Sequence, residues 1–395
     1  MLSFALFLSR SWRAMTLHEF CFPTTIRFGA GARHELAAAL QQRGWQRPLV
    51  VSDREVATLP FCQALIADLQ AQGLGVSTFS DLGGNPVKSQ VEAGTAVFQA
   101  QGADSLVALG GGAALDVAKA IALLAHHPGD LFDYEDGRPD ARPVDQPLPG
   151  FIALPTTAGT GSEVGRSSVI ADDETKRKVI LFSPRLLPEL VLADPELLLS
   201  LPPKITAATG LDALTHCVEA YLAQGFHPLC DGIALEGVRL ISRCLQRSVE
   251  QGNDLAARSG MMAAAMMGGV AFQKGLGVTH SCAHALSTVY DLHHGLANAL
   301  MLRAALEFNQ PVVTEQLAIL ATTVGAAPTA TGFLDWLETL KEALGLPPSL
   351  KAVGVTARDL ERLADVAIHD GCHLLNPRPC RVEDFYQLYR AAGIG

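Results

Sequence analysis

Two pairs of ligand-type residues stand four positions apart in the second half of the chain: Asp212 with His216 in GLDALTHCVEAY, and His280 with His284 in HSCAH. On a helix such pairs project from one face, so each offers two donor atoms in one direction. His293 and His294 follow after ALSTVYDL, and six of the chain's 12 histidines fall within residues 216–294. One histidine on an apolar face is ordinarily a satisfied core residue, but an Asp/His pair joined to a histidine cluster points to a chelated divalent ion. Spacing leaves the set open among His280, His284, His293 and His294, with Glu219 as a further candidate; His227, in a loop-like GFHP stretch, is set aside. Without thiolates the donors suit Fe2+ or Zn2+ and do not separate them.

A second constellation lies in the first half. The strand-like SLVAL runs into Gly110, Gly111 and Gly112 and then into the amphipathic AALDVAKAIALL. Glycines let backbone approach a pyrophosphate, and a helix N-terminus favours its charge. The pattern is not GxGxxG, so the ordinary Rossmann fingerprint is absent. Asp53, after PLVVS, is placed to accept hydrogen bonds from an adenosine ribose, although in the Rossmann order the acid follows the glycines; equally it could cap the short turn before Pro60. A third loop, PTTAGTGSE at 155–163, offers small hydroxyl residues after the strand-like FIAL. Three such loops at strand ends favour a ligand crevice over three coincidental turns.

These residues need a scaffold, and the first half supplies a recognisable one. Strand-like runs at 48–52, 75–79, 105–109 and 151–154 alternate with helical patterns such as 61–72 and 88–102, which predicts a parallel sheet covered by helices. Beyond Asp194 and Pro195 the pattern turns helical at 204–223, 232–251, 255–272 and 315–344. Pro195, Pro202 and Pro203 punctuate the change, and the domains are read as 1–197 and 198–395.

Composition excludes several classes. The 395 residues are 49% hydrophobic and 18% charged, which describes a packed enzyme of two cores rather than a disordered chain. A net charge of −10 gives no basic footprint for nucleic acid or anionic membranes, leaving a small molecule as the expected partner. Eight cysteines without a CxxC pair read as reduced thiols of a cytoplasmic protein. The apolar opening 1–8 lacks the flanks of a signal peptide, Met15 looks like a more ordinary start, and 1–14 reads as an upstream extension. No apolar run is expected to span a membrane.

The segments GGGAALDVAKA, PTTAGTGSEV, LADPELLLSLPP, TGLDALTHCVEAY, GVTHSCAHALSTVYDLHHGLANAL and NPRP together resemble the iron-containing (group III) alcohol dehydrogenases, over residues 18–390. The resemblance implies an α/β N-terminal dinucleotide-binding domain and an all-α C-terminal domain, the architecture shared with dehydroquinate synthases, with a metal in the cleft between them. It implies Asp212, His216, His280 and His294 as the ligands of Fe2+, Zn2+ being the alternative. His284 becomes a conformationally important or proton-relaying neighbour, and His293 stands where the family often has proline. By the same carry-over Asp53 looks like a ribose-binding acid that disfavours NADP. Asn85, Gly111, Gly112, Asp116, Thr156, Thr157, Thr160 and Lys178 fall where the family contacts NAD. Ala113 stands where a serine is usual, which removes one phosphate hydrogen bond.

The expected reaction is NAD-dependent interconversion of a small primary alcohol or diol and its aldehyde, with the alcohol oxygen polarised by the metal and hydride passing to nicotinamide C4. Phe272 and Leu276 are expected beside the metal, and a homodimer or higher homo-oligomer follows by family analogy. The competing readings are a polyol oxidoreductase resembling glycerol dehydrogenase, a metal-dependent hydrolase whose glycine loop binds a substrate phosphate, and a non-catalytic sensor. The filled ligand positions argue against the last.

Overall fold

Strands covered on both faces must be apolar throughout, and the runs LVV, SLVALG and LVLA meet that requirement. A computed structural model describes residues 20–22 and 24–395; the apolar opening at 1–8, Met15 as a start and the extension 1–14 lie outside the described residues. The first half runs β1 (Thr25–Phe28), α1 (Leu36–Gln42), β2 (Pro48–Val51), α2 (Pro60–Ala71), β3 (Ser77–Phe79), α3 (Lys88–Ala100), β4 (Ser105–Gly110), α4 (Gly112–His126) and β5 (Gly150–Pro155). It continues through β6 (Ser167–Ala171), β7 (Lys178–Phe182) and β8 (Leu190–Ala193). Every residue of β2, β4 and β8 is buried.

Six strands form a parallel sheet in the order β1-β8-β5-β4-β2-β3. From β2 the chain steps to β3 on one side, and from β4 to β5 on the other. Loops leaving β2 and β4 therefore diverge, and the crevice they open at the carboxyl ends of the strands is where α/β sheets bind ligands. The antiparallel ribbon β6–β7 is a separate two-stranded sheet. Its strands are short and joined by the charged DDETKR turn, so neither run stands out as a strand in the sequence.

The second half is helical: α5 (Pro203–Leu222), α6 (Pro228–Glu250), α7 (Leu255–Ala271), α8 (Val278–Tyr290), α9 (His294–Thr323), α10 (Ala330–Ala343), α11 (Leu360–Ile368) and α12 (Val382–Ala391). From Thr206 onward α5 is buried on every face, because α6, α7 and α9 pack around it. The continuous helix expected at 315–344 does not exist. It is divided between α9 and α10, since Gly325 takes a left-handed conformation (φ 78°) just past α9 and Thr329 caps α10 by accepting from the Gly332 amide. Pro311 and the non-helical Val313 kink α9 itself.

One segment, Leu255–Lys274, is long and apolar enough to cross a membrane by length and composition, contrary to the expectation that none would be. Here it is a core helix. Its Arg258 is 2% exposed and donates to Leu201 O (3.0 Å), Thr206 Oγ1 (2.7 Å) and Gly252 O (2.9 Å), so it ties α7 to the proline turn that starts α5. Replacing Arg258 with Met would leave those acceptors, the buried Thr206 hydroxyl among them, without their donor. Unfolding free energy is expected to fall by about 3 kcal/mol in urea melts, and an unchanged midpoint would contradict this account.

Candidate metal and nucleotide site

Helices α5, α8 and α9 supply the metal-type donors. Asp212 and His216 lie on one face of α5, His280 in the first turn of α8, and His294 at the head of α9. One donor atom from each of the four lies within 4.8 Å of all the others. His294 Nε2 is 3.4 Å and His280 Nε2 4.0 Å from Asp212 Oδ1. The His216 and His280 rings stack at 4.6 Å. Among the alternatives left open by spacing, His284 and His293 are outside this group. Bringing His294 back beside His280 requires a reversal after α8, and Asp291 makes it in the left-handed region (φ 51°), which Asp tolerates better than most residues.

The donors fit a divalent cation. Burial pushes His216 down to about 4 and His294 well below the ordinary histidine value, so both imidazoles are neutral, the form that binds metal. His216 Nδ1, His294 Nδ1 and Asn298 Oδ1 are buried without a hydrogen-bond partner.

Around the four lies a layer of orienting groups. Glu219, two helical turns below Asp212, accepts from His280 Nδ1 (2.6 Å) and from the amides of Gly277 (3.0 Å) and Thr279 (2.7 Å). Burial opposes ionisation of this carboxyl, but the hydrogen bond and charge of His280 and the Thr279 donors outweigh it and hold it below the ordinary glutamate value. A carboxylate on Nδ1 leaves Nε2 as the free donor facing the cluster. Asn298 Nδ2 reaches Asp212 Oδ1 (2.7 Å), His294 Nε2 (3.2 Å) and His280 Nε2 (3.3 Å). Its spacing of four from His294 was a visible signal for it.

His284 stacks on His294 at 5.2 Å and is gripped from the other side by Asp370, which takes its Nδ1 at 2.7 Å and the Ser281 hydroxyl at 2.7 Å. Burial opposes the Asp370 charge, yet His284, Ser281 and the Cys372 amide together keep it well below the ordinary aspartate value. Nothing in sequence spacing joins Asp370 to a histidine 86 positions away. Lys178, at the head of β7, faces the same cleft. Its burial lowers the ammonium group against the opposing pull of Asp212, Asp370, Asp116 and Asp291.

The three loops of the crevice also meet. The N-terminus of α4 has no side-chain cap. A Cβ on Gly112 would come within 2.6 Å of Thr160 Cγ2, and one on Gly111 within 3.1 Å of Thr157 Cγ2, so only glycine lets the turn lie on the threonine loop. Thr156 is buried, its amide bonded to Gly110 O. Asp53 Oδ1 caps the turn through the Glu55 and Val56 amides, while Oδ2 lies beside Gly110. Asn85 donates to Asp291 Oδ1 at 2.6 Å and so joins the crevice to the α8–α9 turn. Asp116 accepts from Ser162 Oγ (2.6 Å) and the Val169 amide (3.1 Å), which commits it to holding the loop and the ribbon. The loop in turn rests on the helical half, Gly159 against Thr209 and Gly161 against Gly269.

A parallel sheet with a nucleotide-type crevice, set against a three-histidine, one-aspartate cluster on buried helices, defines a metal-assisted oxidoreductase scaffold. Residues 23–195 match the family model for iron-containing alcohol dehydrogenase, and residues 206–393 match that for its C-terminal part. The chain is 38% identical to 4-hydroxybutyrate dehydrogenase of Cupriavidus necator, over 92% of this chain and 97% of that one. It superposes on a crystal structure of 1,3-propanediol oxidoreductase with a TM-score of 0.91 at 34% identity, covering 95% of this chain and all of the other. Against sulfoacetaldehyde reductase of Bifidobacterium kashiwanohense in complex with NAD+, the TM-score is 0.85 at 28% identity, covering 95% and 99%. The chain belongs to the iron-containing alcohol dehydrogenase family.

Glu219→Gln keeps the shape of the side chain and removes the charge opposite His280. Affinity for Fe2+ or Zn2+ is expected to drop roughly 10- to 100-fold in competition titrations, as is usual when such a partner is lost. Unaltered metal affinity would dismiss the orienting role.

Proposed function

We propose that the protein interconverts a small primary alcohol or diol and its aldehyde with NAD(H), using Asp212, His216, His280 and His294 to hold one Fe2+, or Zn2+, beside the nicotinamide. The observation that carries this reading is the convergence of those four donors where the threonine loop, Lys178 and the Asn85–Asp291 bond bring the crevice against the helical half. A divalent ion there supplies a Lewis acid that stabilises negative charge on the substrate oxygen.

The remaining work belongs to the chain. Asp370 fixes the His284 ring through Nδ1, so Nε2 is the atom that takes the hydroxyl proton and returns it in the reverse direction. The uncapped N-terminus of α4, with Gly111 and Gly112, receives the pyrophosphate, and Thr156, Thr157, Thr160, Asn85 and Lys178 line its path. Asp116 serves this site from behind, through Ser162 and Val169. Asp53 Oδ2 accepts from the adenosine ribose and repels a 2′-phosphate. The functional division falls at 197/198, in the proline-marked connection between β8 and α5. Cys62, Cys217, Cys230, Cys244, Cys282, Cys372 and Cys380 form no disulfide, which supports a reducing, cytoplasmic setting, and the family likeness supports a homodimer or higher homo-oligomer.

His280→Ala is expected to lose bound metal and nearly all turnover while still enhancing NADH fluorescence on binding. Full turnover after metal stripping would refute the metal's part. Asp53→Gly is expected to narrow the preference for NAD over NADP by at least roughly tenfold in kcat/KM, the effect of removing a charge facing a phosphate.

A further inference from the structure

Beside the metal cluster lies a cavity of about 250 Å³ whose walls include Phe22, Val164, Arg166, Phe182, Phe272 and Leu375. Phe272 belongs to both places, since its ring sits 5.2 Å from that of His216. Phe272 is thus the side chain through which the cavity borders the metal cluster. The cavity is largely apolar, and among the described residues no Asp or Glu lines it.

Among the described residues, Arg166 is the one cationic side chain that lines the cavity. It is half-buried, and its guanidinium lies over the Phe182 ring at 5.1 Å. Among the described residues no carboxylate lies within ion-pairing distance of it, whereas Arg33 on the sheet side holds Asp194 and Glu196; eight other described arginines share this lack of an acid, but none of them lines the cavity. In a chain of net charge −10, Arg166 is thus a cation at an apolar cavity, with no acidic ion-pair partner among the described residues, and a planar fork of donors suits a carboxylate.

Its backbone is fixed as well. The buried Lys119 ammonium donates to Ser162 O (2.7 Å), Gly165 O (3.0 Å) and Ser167 O (2.7 Å), on both sides of Arg166. A Cβ on Gly165 would lie 3.5 Å from Phe272 Cζ, so the segment rests against the residue shared with the metal cluster.

We propose that Arg166 binds a carboxylate carried at the far end of the substrate, so that the preferred substrates are straight-chain ω-hydroxy acids and their semialdehydes. This rests on the dehydrogenase reading above and names the substrate class within it. The hydroxyl-bearing carbon loses a hydride to NAD+ and the hydroxyl loses its proton, giving the aldehyde. The carboxylate stays unchanged and serves only as an anchor, with the methylene chain lying along Phe272.

The test pairs kinetics with binding. ω-Hydroxy acids of three to six carbons are assayed beside uncharged terminal diols of equal length, with wild type, Arg166→Gln and Arg166→Lys. The ratio of kcat/KM for acid over diol is expected to fall roughly 10- to 100-fold in Arg166→Gln, mainly through KM, the range for losing a hydrogen bond to a charged group, and to recover partly in Arg166→Lys. An unchanged ratio would overturn the proposal. Separately, butyrate, hexanoate and hexanesulfonate, none of which can react, are titrated calorimetrically into the metal-loaded protein. Carboxylate binding lost in Arg166→Gln supports the site even if no alcohol is oxidised, a result that would sink the dehydrogenase reading alone. Absence of carboxylate binding to wild type, or a clear preference for the sulfonate, overturns the carboxylate assignment.

Discussion

A single buried carboxylate, Glu219, joins the scaffold to the chemistry. From the last turn of α5 it accepts the opening amides of α8 and the His280 imidazole. The same charge therefore caps one helix, fixes the angle at which it meets another, and turns one ligand. Burying a carboxylate is unfavourable unless donors surround it, and here the donors are backbone groups that exist only when α8 is formed and docked. Folding of the helical half and assembly of the metal cluster are in that sense one event. The Nε2 atoms of His280 and His294 meet Asp212 Oδ1 at the other end of that event.

The sheet contributes in a different way. Its loops diverge at β2 and β4 and leave a crevice, but the crevice becomes a site because small residues allow the threonine loop to lie directly on α5 and α7. Asp116 and Lys119, one turn apart on α4, reach the loop and ribbon from beneath. A buried acid and a buried base with full sets of hydrogen bonds make a rigid floor, and rigidity is what a hydride donor and acceptor held at fixed separation require.

Much of this was legible in the sequence. The glycine turn, the threonine loop and the Asp/His pairs all announce themselves through local spacing, and the strands at 48–52, 105–109 and 151–154 are visible because strands buried on both faces are uniformly apolar. Choosing among four histidines was beyond spacing, since every i, i+4 pair is geometrically alike; the choice came from resemblance. Asp370, the break at 324–329 and the ribbon β6–β7 were missed for three reasons. The first is a contact across 86 residues, the second depends on one left-handed glycine, and the third hides in a run of charges. Asp53 was weighed as cap or ligand; Oδ1 makes the cap, and Oδ2 is left beside the glycine turn.

The bond from Asn85 to Asp291 is short, exposed, and spans the lip between the sheet's loops and the turn after α8. An exposed hydrogen bond of this kind contributes only about 1 kcal/mol, under twice the thermal energy. The floor of the crevice is locked by buried charges, whereas its rim is fastened by a latch that ordinary fluctuation undoes. The rim bond involves none of the four clustered donors, so access to the crevice and the geometry of the cluster rest on separate parts of the same cleft.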